Sequence, residues 1–318
     1  MMARKKNDSN FEKKIPLITF GIPCYNAEKT IGNLLNCFYI SDYFKYEIII
    51  LDDGSDDKTS KICKDFLGRT DLDIRIIRMA SNKGVSFARN EIIKRANGDW
   101  LTFIDSDDFV FFCKYEREIR RLLNTDYDFV IAPVIGRIGF KKPSISQLIS
   151  REIINSPCAK FYKVKKLKTK KLLFILDIDL GEDLVFNLNY LSECDNYNIL
   201  RSHLYRYNKK FSLLTKKDRS DKYKLLMELN NNCCILMKKY YGGDKKILKA
   251  LEYIRIKNCI SCMTTYNGKN ATDFLKKMKC DNPKKYLYLN SIKETIIYYL
   301  WYMLPNAITV HFLLSRKN

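Results

Sequence analysis

The sequence predicts an α/β fold with a mostly parallel central sheet flanked by helices. Strand-like and helix-like segments alternate through the first hundred residues, and three of the first four strands run into polar clusters. A 46% hydrophobic and 13% aromatic composition over 318 residues supplies a sizeable core and argues against disorder.

Ile15 to Ile22 reads as a buried strand, and Ala27 to Phe38 then sets Ile31, Leu34, Leu35 and Phe38 at helical spacing. The isoleucine-rich strand Tyr46 to Leu51 stops at the turn-forming Asp52-Asp53-Gly54-Ser55. A helix over Asp56 to Leu67, a strand over Asp73 to Arg78 and a helix over Val85 to Ala96 follow, the last ended by Asn97-Gly98. Trp100 to Ile104 forms a fourth strand that breaks off at Asp105-Ser106-Asp107-Asp108. Such a βαβαβαβ order implies parallel strands joined by right-handed crossovers.

Beyond Asp126 the pattern loosens to a strand over Tyr127 to Val134, a short apolar run over Leu172 to Leu176 and a helix starting near Glu182. The expected organisation is a basic tail over residues 1–14, a catalytic domain over 15–215, and a basic helical C-terminal region over 216–318. Residues 15–215 divide at residue 110 into the regularly alternating half and the looser half.

The formal charge of +21 draws phosphates, anionic headgroups or nucleic acid without choosing among them. Eleven cysteines are scattered without a repeated Cys-x-x-Cys, and the start Met1-Met2-Ala3-Arg4-Lys5-Lys6 lacks a signal-peptide core, so reduced thiols in a cytoplasmic setting are expected. The apolar stretch Ile296 to Leu314 is broken by Pro305, Asn306 and His311, which suits an interfacial or buried segment better than a span. Its aromatics, with Lys284, Lys285, Arg316 and Lys317 beside them, fit peripheral contact with the inner face of an anionic membrane.

Ligands of parallel sheets collect at the carboxyl ends of strands, where Pro23-Cys24-Tyr25-Asn26 and the two Asp-rich clusters would meet. Gathered carboxylates repel one another unless cations or donors compensate them, and a divalent metal held by one or two carboxylates, diphosphate and water does so economically. The plainer alternative is that Asp53 and Asp108 cap helices. Asn82-Lys83-Gly84 with Arg89 could meet a phosphate at the start of the third helix. There is no Gly-x-x-x-x-Gly-Lys-Ser/Thr loop and no Gly-x-Gly-x-x-Gly.

Taken together, Ile18 to Asn26, Ile48 to Thr59, Asn82-Lys83-Gly84 with Ala88-Arg89-Asn90, and Gly98 to Asp108 resemble glycosyltransferase family 2 of the GT-A fold, in order and spacing. The resemblance implies an inverting transferase of the hexosyl or N-acetylhexosaminyl class, a nucleotide-diphospho-sugar donor with uridine as the expected base, and Mn²⁺ or Mg²⁺. It implies that Pro23, Tyr25, Asn26 and Asp53 hold the base, that Lys83, Gly84, Arg89, Asp105 and Ser106 line the rest of the donor, and that Asp107 binds the metal. Glu182-Asp183 fits the family's acidic pair opening a helix, with Asp183 as general base and Glu182 and Lys160 on the acceptor side. Cys158 to Tyr162 departs from a Trp-containing stretch of relatives, which leaves the acceptor side open. His203 could supply a further metal ligand, although a lone histidine is more often structural. A lipid-linked or surface glycan is the expected acceptor; a nucleic-acid-binding protein and a catalytically inactive sugar-nucleotide-binding relative are the alternatives.

Overall fold

The computed structural model of the chain describes residues 15–132, 142–176, 181–200, 204–208 and, except for 230, 237 and 240–242, residues 228–254. The basic tail, His203 and the aromatic C-terminal segment lie outside the described residues.

The first half follows the alternation read from the sequence. Leu17–Cys24 (β1), Lys45–Asp52 (β2), Asp73–Arg78 (β3) and Trp100–Phe103 (β4) are parallel neighbours in the order β3-β2-β1-β4. Their crossovers carry Ile31–Leu35 (α1), Thr59–Leu67 (α2) and Val85–Arg95 (α3). Ile18, Phe20 and Ile22 of β1 and Ile48 to Leu51 of β2 are buried, as continuous apolar runs in a sheet covered on both faces must be. Gly21 lets α3 come close, since a Cβ there would lie 2.6 Å from Ile92. Helix α1 is shorter than the expected Ala27 to Phe38 because Thr30 and Ile31 both donate to Ala27 C=O, forming a turn before the helix begins.

The second half is less regular. Phe109–Val110 (β5), Glu116–Leu123 (α4), Phe129–Ile131 (β6), Ile145–Ser150 (α5), Lys160–Lys163 (β7), Val164–Thr169 (α6), Glu182–Ser192 (α7), Tyr197–Ile199 (β8) and Tyr205–Arg206 (β9) complete the described elements. Strands β7, β6 and β8 extend the sheet beyond β4 to give seven strands, and β7 alone runs against the rest. β5 and β9 pair separately as a short antiparallel ribbon. The run Leu172 to Leu176 forms neither helix nor strand, and turns Phe174 inward while Leu173, Ile175 and Leu176 face solvent. Helical residues 231–236 and 245–254 add Cys233, Leu236 and Leu251 to the same core. Among the described residues no helix is long and apolar enough to cross a membrane.

Buried Glu47 ties the entry end of the sheet together. It accepts from the Thr19 hydroxyl, the Asn97 N–H and the Arg75 guanidinium, each at 2.6 Å. Three donors offset the cost of burying this carboxylate.

Candidate active site

The loops after β1 and β2 are stitched to each other by polar side chains. Asn26, at a φ of 48°, donates its N–H to Ser55 Oγ at 2.9 Å, and its Oδ1 accepts from Asp56 N–H at 3.0 Å. Ala27 N–H reaches Thr59 Oγ1, and Glu28 N–H reaches Asp57. Pro23 is buried behind this loop while Tyr25, 39% exposed, stands out from it. Asp52 turns back on its own loop and accepts from Ser55 N–H at 2.9 Å.

Asp53 performs a task that sequence reasoning missed. Its carboxylate accepts from Lys83 N–H at 3.0 Å and Gly84 N–H at 2.8 Å, folding the loop after β3 against the end of β2. Gly54, at a φ of 77°, permits this closure, because a Cβ there would lie 2.8 Å from the Ser81 backbone. Burial raises the Asp53 pKa against the pull of the two N–H donors. The Lys83 side chain is exposed and lies over the Phe87 ring.

Arg89 was expected to meet a phosphate; the structure gives its guanidinium other partners. Only 4% exposed, it donates to Asp183 Oδ1 at 2.8 Å and to Asp105 Oδ1 at 3.1 Å, with Glu182 at 4.0 Å and the Phe174 ring 5.4 Å below. Its Nε is buried without a hydrogen bond. Burial disfavours the cation, but Asp183 and Asp105 outweigh that and hold it charged. An always-charged planar fork suits two carboxylates arriving from different parts of the chain. Asp183 and Asp105, 78 positions apart in sequence, thereby share one cation.

Asp183 and Glu182 open α7, whose first-turn N–H groups favour negative charge. Burial raises both above the ordinary carboxylate range; for Asp183 the Arg89 cation opposes the shift, and for Glu182 the charge of Asp183 adds to it. Gly181 precedes them in the left-handed region at a φ of 89°, packed so closely that a Cβ would lie 2.7 Å from Leu229. Lys160, expected on the acceptor side, is 1% exposed, donates to Cys158 C=O at 3.0 Å and adds positive charge near Asp183.

In the loop after β4, Ser106 is half-buried, and Asp108 is buried and caps no helix. Asp108 accepts from Asn208 N–H at 2.7 Å and from the Tyr205 hydroxyl, which itself accepts from Asp105 N–H at 3.2 Å. Burial first, then the neighbouring Asp105 charge, pushes its pKa up to about 7. Asp53 caps no helix either, so the capping alternative fails for both.

Asp107 is half-buried, and among the described residues its carboxylate meets no donor beyond its own backbone. Burial and the Asp105 charge raise its pKa, while the Arg89 cation is engaged by Asp105 and Asp183. That donor set fits a divalent cation held by one carboxylate and completed by diphosphate and water.

Comparisons with known proteins bear on the family and the fold. The model of Glycosyl transferase family 2 matches residues 19–177. The glycosyltransferase EpsJ of Bacillus subtilis (strain 168) is 29% identical over 220 residues, covering 63% of each chain. The UDP-Glc:alpha-D-GlcNAc-diphosphoundecaprenol beta-1,3-glucosyltransferase WfgD of Escherichia coli is 32% identical over 114 residues, 36% of this chain and 44% of that one. The match thus spans less than two thirds of either relative. Among solved structures, Staphylococcus aureus TarS 1–349 with UDP-GlcNAc superposes at a TM-score of 0.67 and 16% identity, covering 95% of this chain and 92% of that one. The Pyrobaculum calidifontis mannosyltransferase PcManGT with GDP-Man and Mn²⁺ superposes at 0.60 and 14% identity, over 93% and 87%. At these identities the superpositions establish the GT-A fold and nothing finer.

Proposed function

Because the chain belongs to glycosyl transferase family 2, we propose that it moves a sugar from a nucleotide-diphospho-sugar to an acceptor hydroxyl with inversion at the anomeric carbon. The observation that carries this reading is the shared guanidinium. Arg89 holds a donor-side carboxylate, Asp105, and an acceptor-side carboxylate, Asp183, on the two prongs of one fork.

In this mechanism the loops Pro23 to Asn26 and Asp52 to Ser55 receive the base, with a free lone pair of Asp53 accepting from a ring N–H such as uracil offers. Asp105 faces the ribose or sugar. Asp183 takes the proton of the acceptor hydroxyl as its oxygen attacks the anomeric carbon and the bond to the diphosphate breaks, and its raised pKa suits a base that receives a proton near neutral pH. Arg89 and Lys160 keep that base charged and aimed. Asp107 would hold Mn²⁺ or Mg²⁺, which when bound supplies positive charge to the departing diphosphate.

UDP as the donor nucleotide draws support from TarS, crystallised with UDP-GlcNAc, and from WfgD, whose name specifies UDP-Glc. The diphosphoundecaprenol in the name of WfgD supports a lipid-linked acceptor here. A formal charge of +21 and the aromatic, basic C-terminal segment support a reaction at the cytoplasmic face of an anionic membrane.

The test is release of nucleotide from a panel of UDP-, GDP- and dTDP-sugars with and without Mn²⁺. Metal-dependent turnover of one or a few donors is expected, and Asp107→Ala should abolish it. No turnover of any donor, together with salt-sensitive RNA binding, would replace this reading with a nucleic-acid-binding one.

A further inference from the structure

Among the described residues the side chain of Asn90 hydrogen-bonds to no group assigned to donor or acceptor, yet it is buried, at 6% exposure. Its Oδ1 accepts from Phe174 N–H at 2.8 Å and its Nδ2 donates to Phe174 C=O at 2.8 Å. One side chain thus satisfies both backbone groups of a residue 84 positions away, in a stretch with neither helix nor strand. Two such bonds fix position and tilt together, where either alone would leave a swivel.

What this clamp holds is the Phe174 ring. It stacks on Phe186 of α7, with centroids 3.8 Å apart and planes at 12°, and meets Phe103 of β4 edge-on at 5.7 Å. Phe186 lies three residues after Asp183, on the same side of the helix, and Phe103 closes the strand that leads to Asp105. Phe174 therefore stands as a wedge between the helix bearing the base and the strand end bearing the donor-side carboxylate.

Resting on the transferase reading, we infer that Asn90 is a positioning residue: through Phe174 and Phe186 it sets where α7, and with it Asp183, stands relative to Asp105. Packing alone would call for an apolar side chain at this place. A buried amide carries a desolvation cost, and only its directional bonds to the Phe174 backbone offset that cost.

The inference is tested in the full chain by one measurement without substrate and one with it. Asn90→Ala should speed backbone amide exchange over residues 182–186 by about tenfold while residues 48–52 keep wild-type rates. Unchanged exchange over 182–186 overturns the inference whatever the donor is. In hydrolysis of UDP-GlcNAc to water with Mn²⁺, Asn90→Ala should lower kcat about tenfold with KM within about twofold. Placed on Asp183→Asn, the same change should add less than about twofold, because nothing is left to position. Equal losses in both backgrounds, or a loss confined to KM, also overturn it. Phe174→Leu keeps apolar bulk but removes the ring stack; it should repeat the pattern and takes the place of Asn90→Ala if that chain fails to fold. If the wild-type chain releases UDP from no donor, the transferase reading falls instead, and the exchange measurement still decides the role of Asn90.

Discussion

The segment from β1 to β4 and the segment that follows it are made of similar elements but held together differently. In the first, β1, β2 and β3 pair in parallel with strands one crossover away, β4 adds to the free side of β1, and the loops at its carboxyl edge are tied by side chain-to-backbone bonds such as Ser55 to Asn26 N–H and Asp53 to Gly84 N–H. In the second, β6, β7 and β8 enter the sheet out of chain order, and buried side chains carry the joints. Asn187 donates to Ile154 C=O at 2.8 Å and accepts from the Tyr162 hydroxyl at 2.7 Å, while the Tyr190 hydroxyl bridges Lys163 N–H and Asp128 C=O, each at 2.7 Å. The β4–β7 pairing and bonds such as Lys168 Nζ to Ala96 C=O cross from one to the other, and at the carboxyl edge α3 supplies Arg89 and Asn90 to the joint.

If Arg89 is the main electrostatic joint, removing it should have the largest effect. Arg89→Met leaves Asp105, Asp183 and Glu182 gathered without their cation and should destabilise the fold by roughly 3–5 kcal/mol, read from urea unfolding at neutral pH. Stability within about 1 kcal/mol of wild type would mean that strand pairing and packing join the halves without it.

The next largest effect separates chemistry from assembly. Asp183→Asn retains a polar partner for Arg89, so folding and donor binding should persist while transfer falls by about a hundredfold or more. A wild-type rate in this variant removes Asp183 from the base role. In the wild-type enzyme the same group dictates a pH limb: burial raises its pKa, and the base must be deprotonated to act. Transfer should therefore fall as pH drops through a value above the ordinary carboxylate value of about 4. A limb at or below that value would contradict the burial argument.

The smallest effect is expected within the first segment itself. Asp53→Asn turns an amide that can donate toward two N–H donors, loosening the loop Asn82 to Gly84, and should cost about 1–2 kcal/mol of stability and weaken donor binding measured by calorimetry. Because this joint is local, catalysis per bound donor should change little; a large fall in kcat at saturating donor would show that the two segments are coupled through this loop as well.

The same contrast explains what could be read from the sequence. The four parallel strands were legible because their period, turns and polar ends lie close together in the chain, and each observed strand falls within two residues of its expected limits. Asp105, Asp107, Glu182 and Asp183 were legible as acids at element ends. The partners of Arg89 were not, since a buried guanidinium and a phosphate clamp look alike in one dimension. The bond between Asn90 and Phe174 could not be read, because it joins a side chain to a backbone 84 residues away; the available sign was a polar residue between Ala88 and Ile92 on the inner side of α3. The antiparallel insertion of β7 was equally hidden, as direction is decided by pairing across the sheet.

The Tyr205 hydroxyl, lodged between Asp105 N–H and Asp108, carries one more implication. The family model ends at residue 177 and the seventh sheet strand ends at Ile199, so a minimal fragment cut near residue 200 would look sufficient on paper. It would lack the peg that fastens the acidic loop from behind, and the tolerated C-terminal limit of a working fragment should fall after Asn208.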